Sequence, residues 1–180
     1  MKLLVSVSIW LILIVAPIYS IGQPVFTKLE SSKTNFNSYG PFPTYGGGMS
    51  FSDFNGDGWD DITLTTDLGE QILFYENTLG VFKETFPIQT NHAKHFYSVW
   101  IDYDNDGDKD FFSISELAGV QVFQNDQGNY VNSTLSSGLA SFPFSFLRGG
   151  LFGDFNNDGL LDLYVCEYNL ISQNHMFFQD

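Results

Sequence analysis

Beyond residue 46 the chain is a succession of short apolar runs separated by polar turns. Met49-Ser50-Phe51-Ser52, Ile62-Thr63-Leu64, Gln71 to Asn77 and Val81 to Phe86 form a first group. His95 to Ile101, Phe111 to Ile114, Val120 to Asn125 and Tyr130 to Asn132 repeat the order. Gly149 to Gly153, Leu163 to Cys166 and His175 to Asp180 begin it a third time. Aromatic and β-branched residues dominate these runs, which predicts strands. The sequences Tyr75-Glu76-Asn77, Phe123-Gln124-Asn125 and Phe178-Gln179-Asp180 align as one position in three rounds. The period is 49 residues from Asp53 to Asp102 and 52 from Asp102 to Asp154. Four short strands at that spacing predict an all-β partial β-propeller of four-stranded antiparallel blades, about 46–90, 95–140 and 148–180, each burying both faces against its neighbours. An earlier run, Val25-Phe26-Thr27-Lys28-Leu29, resembles the fourth strand of the other rounds and is expected to complete a blade begun by the C-terminal part. Closed propellers use about four to eight blades, so the chain reads as a fragment of a longer protein; an open arc that pairs with something is the other possibility. The apolar edge Met176-Phe177-Phe178 favours the fragment.

Between the first and second run of every round lies an acidic stretch. Asp53-Phe54-Asn55-Gly56-Asp57-Gly58-Trp59-Asp60-Asp61 is followed by Asp102-Tyr103-Asp104-Asn105-Asp106-Gly107-Asp108-Lys109-Asp110 and by Asp154-Phe155-Asn156-Asn157-Asp158-Gly159-Leu160-Leu161-Asp162. Oxygen-bearing side chains on alternate positions, with Gly at the sixth to permit positive φ, let a short loop wrap one hard cation, and calcium suits such a donor set. An EF-hand is excluded, because its twelfth-position Glu is replaced by Leu64, Ser113 and Val165. The fifth oxygen falls instead at the ninth position, on Asp61, Asp110 and Asp162, and a strand follows at once. A turn without metal explains one such copy but poorly explains three with matched acids.

Composition sharpens this picture in two ways. Of 21 acids, twelve lie in the three stretches, against only 7 bases, so the formal charge of -14 is concentrated there. An acidic chain without a Lys/Arg cluster excludes nucleic acid and anionic membranes as partners. The start of the chain carries Lys2, an apolar run from Leu3 to Ile18 and the small residues Ser20 and Gly22, which predicts a signal peptide over 1–22. The exported protein is then secreted or at the cell surface, with no stable membrane insertion after cleavage; 23–45 is an N-terminal strand and linker, and 46–180 the repeats. The lone Cys166 has no internal disulfide partner.

The triplicated acidic loop resembles the FG-GAP/VCBS repeat family, the propeller repeats of integrin α subunits and many secreted proteins. Leu161-Asp162-Leu163-Tyr164-Val165 with Phe178-Gln179-Asp180 is most similar to its cartilage acidic protein, or ASPIC-type, subgroup. The resemblance covers Gly46 to Asp180, although the Phe-Gly and Gly-Ala-Pro signature is missing. It implies calcium held by side chains at positions one, three, five and nine and a backbone carbonyl at seven. Carried over, this gives Asp53, Asn55, Asp57, Trp59 and Asp61 in the first loop; Asp102, Asp104, Asp106, Asp108 and Asp110 in the second; and Asp154, Asn156, Asp158, Leu160 and Asp162 in the third.

Together these features predict a secreted module with about three structural Ca2+ ions that binds an extracellular protein or glycan and is not an enzyme. The alternative is the scaffold of a secreted carbohydrate-active hydrolase or lyase. Arg148 is then a candidate for an acidic sugar, against pairing with a loop Asp; Trp59 and Trp100 are candidates for stacking on sugars, against burial in the blades. His92 and His95 have zinc-like spacing but no third ligand nearby, so a surface or packing role is expected.

Overall fold

The computed structural model describes residues 47–116, 118–141, 146–168 and 174–179. The expected signal peptide, the strand at Val25 to Leu29, the linker up to Gly46, and Asp180 lie outside the described residues. The apolar runs pair into three antiparallel sheets. β1 (Met49–Ser52), β2 (Asp61–Leu64), β3 (Leu73–Thr78) and β4 (Val81–Thr85) lie side by side in chain order. β5 (His95–Ile101), β6 (Asp110–Ser115), β7 (Gly119–Asp126) and β8 (Asn129–Asn132) make a second sheet of the same order. β9 (Leu147–Gly153), β10 (Asp162–Glu167) and β11 (His175–Phe177) make a third, with three strands among the described residues.

Local chemistry sets the hairpins. The turns between β3 and β4 and between β7 and β8 are two residues long, with positive φ at both: 56° and 87° at Leu79 and Gly80, 52° and 91° at Gln127 and Gly128. Turns of this hand match the right-handed twist of the strands they join. Asn77 and Asn125 cap them, each side-chain oxygen accepting the Gly80 or Gly128 amide at 2.9 and 2.7 Å.

The middle sheet is the core of the molecule: every residue of β6 is buried. Phe111 points to the first sheet, whereas Phe112 and Ile114 point to the third. Toward the first sheet, Trp100 stacks on Phe54 with ring centroids 4.7 Å apart and its indole N–H donates to the Thr63 hydroxyl at 2.8 Å. Tyr130 packs on Trp100 at 5.6 Å and donates to the Phe54 carbonyl at 3.2 Å. Burial pushes the Tyr130 phenol up to about 12, which keeps its donor proton in place. Toward the third sheet the equivalent positions carry smaller groups, Phe152 for Trp100 and Val122 for Phe74, and no counterpart of Tyr130 stands among the described residues. A cavity of about 490 Å³ bordered by Tyr103, Phe152, Leu163 and Phe177 is the result.

Three expectations need correction here. Among the described residues Phe51 on the first sheet and Leu151 on the third are exposed, whereas Leu64 and Tyr75 on the face of Phe51 are buried, so the outer sheets bury both faces only in part. Trp100 is in the core as expected, but Trp59, at the seventh loop position, is exposed. The third round is shifted by one residue: Leu163 pairs with Phe177 as Phe111 pairs with Phe123 and Ile62 with Tyr75, so Phe177-Phe178-Gln179 is the true counterpart of Phe123-Gln124-Asn125. Backbone pairing, not the local likeness of Phe-Gln-Asp to Phe-Gln-Asn, fixes the position.

Candidate metal centre

Each acidic stretch joins the first to the second strand of its sheet, and its first residue folds it. Asp53 accepts the amides of Gly56, Asp57 and Gly58 at 2.8, 3.1 and 2.8 Å. Asp102 accepts Asp106 and Gly107 at 3.1 and 3.0 Å, and Asp154 accepts Asp158 and Gly159 at 3.1 and 3.0 Å. Wrapping the chain around one carboxylate demands left-handed backbone at the fourth and sixth positions. Gly58, Gly107 and Gly159 have φ of 90°, 99° and 91°, and Gly56, Asn105 and Asn157 have 76°, 63° and 63°. A Cβ at Gly58, Gly107 or Gly159 would meet nothing within 4 Å, so conformation and not space calls for glycine there. The fifth acid then accepts the amide two residues on: Asp57 from Trp59, Asp106 from Asp108, Asp158 from Leu160, at 2.9, 2.9 and 2.8 Å.

The ninth residue has a role the spacing did not foretell. Asp61, Asp110 and Asp162 are buried, and each uses one carboxylate oxygen inside its loop and the other on the third strand. One oxygen accepts the amide of Phe54, Tyr103 or Phe155 at 3.0, 3.0 and 2.9 Å. The second accepts the amide of Asn77, Asn125 or Gln179 at 2.8, 2.8 and 3.1 Å. This latch ties the acidic loop across the sheet. The only signal for it in the sequence was the recurrence of an acid at the start of a strand. Burial raises the Asp61 carboxyl above its usual range, partly offset by the Asn77 and Phe54 amides. At Asp110 burial raises it to about 6, against the pull of the Asn125 and Tyr103 amides, with Asp104 and Asp106 adding to the rise.

The second loop gathers its acids most closely. One carboxylate oxygen from each of Asp102, Asp104 and Asp106 lies within 4.8 Å of the other two. Oxygens in one calcium shell, each about 2.3–2.6 Å from the ion, lie up to about 5 Å apart, so the trio fits a single hard cation. Asp104 takes a bond from the Gln124 amide at 2.6 Å on one oxygen, while its other oxygen is buried without a partner. In the outer loops the third residue is an amide that turns its N–H2 on the fifth acid: Asn55 to Asp57 at 3.4 Å, Asn156 to Asp158 at 2.7 Å. Neighbouring loops touch, Asn105 donating to the Gly159 carbonyl at 3.2 Å and Lys109 to the Ser52 hydroxyl at 2.8 Å.

The remaining candidates take other roles. Among the described residues Arg148 pairs with no loop Asp: its guanidinium lies 3.9 Å from the Phe96 ring centre and donates to the Leu147 carbonyl. β9 carries it away from the acidic loops, beside the start of β5. His92 meets Gln71 at 3.2 Å, whereas His95 is fully buried with Nε2 3.2 Å from the Asn91 carbonyl and Nδ1 unpartnered. Burial lowers the His95 value below the usual 6.5, which keeps the ring neutral in the folded state. Below about pH 6.5 the unfolded chain therefore takes up the proton first, and stability is lost at up to about 1.4 kcal/mol per pH unit. In excess calcium the melting temperatures of wild type and His95→Gln should converge as pH falls from neutrality; parallel curves would reject a buried neutral ring.

Three antiparallel sheets built by one repeating pattern, each with an acidic loop between its first two strands, define an all-β repeat protein. The FG-GAP-like repeat model matches residues 53–113 and again 102–165, more than half of the chain, and the chain belongs to that family. No curated protein matches the sequence. Among the described residues no helix is long and apolar enough to cross a membrane.

Proposed function

We propose that this protein is a secreted, calcium-stabilised module of β-propeller blades that binds an extracellular protein or glycan, in the manner of adhesion repeats, and that it falls in the cartilage acidic protein, or ASPIC-type, subgroup. The observation that carries it is the second loop: three carboxylates close enough for one cation, one of them with a buried oxygen that no protein donor meets. Asp102, Asp104 and Asp106 would hold the ion there, with the Asp108 carbonyl and the lone pair that Asp110 has left after its two backbone bonds. Asp53, Asn55, Asp57, Trp59 and Asp61, and Asp154, Asn156, Asp158, Leu160 and Asp162, would form two weaker copies, since an amide replaces a carboxylate at the third position. A bound ion neutralises acids whose mutual repulsion otherwise strains the loops, so its contribution is to stability and not to chemistry. The signal at 1–22 supplies the export route. Membership of a repeat family used in adhesion and binding supports a binding role over a catalytic one.

Calorimetry should resolve about three calcium sites, the tightest weakened in Asp104→Asn toward the level of the other two, and chelator should lower the melting temperature reversibly. Heat-flow traces without a binding isotherm, and melting indifferent to chelator, would reject the reading.

A further inference from the structure

Arg148 is the one arginine of the chain, and no acid among the described residues pairs with it. It is the second residue of β9, at the end of the third sheet away from the acidic loop. Its guanidinium lies on the Phe96 ring and 5.8 Å from the Tyr168 ring centre. Of its fork of N–H donors, Nη1 alone has a protein acceptor among the described residues, the Leu147 carbonyl at 3.0 Å. The surroundings are aromatic and open. Tyr168 is 73% exposed and Phe146 48% exposed, and the Tyr168 amide donates to the Phe146 carbonyl at 2.8 Å, which sets the two residues side by side. Phe146 has a φ of 70°, left-handed backbone that bulky residues avoid. Strain of this kind persists where a side chain is held for a task. Charge at this end is otherwise balanced: Lys94, whose ammonium stands 5.7 Å from the Phe96 ring centre, pairs with Asp67 at 3.5 Å, and Glu167 faces His175 at 3.5 Å. The acidic loop of the same sheet begins at Asp154, roughly 20 Å along the strand from Arg148 at the ordinary rise per residue. Exposed charges are screened over about 8 Å at physiological ionic strength, so the loop does not repel an anion that approaches the guanidinium.

We propose that Arg148, Tyr168 and Phe146 form a subsite for a hexuronate residue of an acidic glycan. The guanidinium takes the sugar carboxylate through paired N–H···O bonds, the geometry its planar fork is shaped for. Phe96 backs it, because a cation stacked on a ring is confined while its in-plane donors stay available. The two exposed rings take the apolar C–H face of the pyranose and leave the hydroxyls to water. An acidic peptide would use the guanidinium and has no need of the rings; a neutral sugar would use the rings and leave the guanidinium unmatched. Only a carboxylated sugar uses all three side chains. The subsite rests on the binding role proposed above and names the chemistry of the ligand; it lies apart from the metal loops and asks nothing of their ions.

NMR titration of the calcium-loaded protein tests this with two acidic oligosaccharides, one of alternating glucuronate and N-acetylglucosamine and one of glucuronate-substituted xylose. Their carboxyl-reduced forms and a poly-aspartate peptide serve as controls. At least one acidic oligosaccharide should bind and shift the Arg148 Nε–H resonance, and its reduced form should not. Arg148→Lys keeps the charge but loses the fork, and should weaken binding about tenfold or more. Tyr168→Ala, at an exposed position that the fold does not need, should weaken it as well, so the test survives if the Arg148 variant unfolds. No binding of either oligosaccharide, equal binding of the reduced forms, a peptide that binds as well as the sugar, or a silent Tyr168→Ala would each overturn the subsite. Failure here and failure of the wider reading look different. A neutral glycan or a protein bound with no response to Arg148→Lys would overturn the subsite and leave the binding role standing. Uronate binding lost in Arg148→Lys, with no calcium isotherm, would uphold the subsite while the metal reading fell.

Discussion

Replacing Asp110 by alanine should lower the unfolding free energy by about 2–4 kcal/mol even in chelator, with a further loss in calcium because the loop gives up a ligand. The carboxylate joins the amides of Tyr103 and Asn125 from opposite sides of a buried position, and alanine leaves both without an acceptor. A buried unsatisfied N–H costs about 1–3 kcal/mol, and part of the sum is returned because the variant no longer buries an acid whose charged form is disfavoured there. Asp104→Asn is the contrast. Among the described residues its side chain bonds only Gln124, so its effect should appear with calcium present and vanish in chelator. Urea titrations of both variants with and without chelator separate the two roles. If Asp110→Ala matches wild type once calcium is removed, the ninth acid is a metal ligand alone and the latch has no energetic weight.

Trp100→Ala should be as damaging, at about 3–5 kcal/mol. The indole stacks on Phe54, lies 4.7 Å from Phe111, and satisfies the Thr63 hydroxyl, so its removal opens a void between two sheets and orphans a buried oxygen. Phe152→Ala should cost less than half as much. Phe152 is half-buried beside an existing cavity, and fewer contacts are lost when a side chain already borders empty space. Equal losses from the two variants would show that the sheets are not joined through the tryptophan.

Much of this was written in the spacing of residues. Periodic acids followed by short apolar runs placed the loops between first and second strands, and the order of runs gave the order of strands. What the spacing lacked was direction. An Asp at the ninth position looks the same whether its oxygens face a cation or the amide of Asn125. Trp59 and Trp100 are equally aromatic, yet one sits on an outward loop position and the other on the inward side of β5. Arg148 looked free to seek an acid in an acid-rich chain, but the ring nearest its strand is Phe96. Register failed where two similar tripeptides competed: Phe178-Gln179 mimics Phe123-Gln124 in letters, and the pairing of Leu163 with Phe177 and the bond from Gln179 N–H to Asp162 reveal the offset. Local sequence specifies periodicity; which way a side chain points is decided by the neighbouring sheet.

The latch also bears on how the chain is assembled in time. Its carboxylate and the amide it holds are separated by 16, 15 and 17 residues in the three rounds. Each unit therefore closes on itself using contiguous sequence, the short-range circumstance in which the entropy of loop closure is low and folding is quick. A polypeptide that emerges from its N-terminus during synthesis can complete one sheet before the next has appeared, and each finished sheet offers a template on which its successor docks.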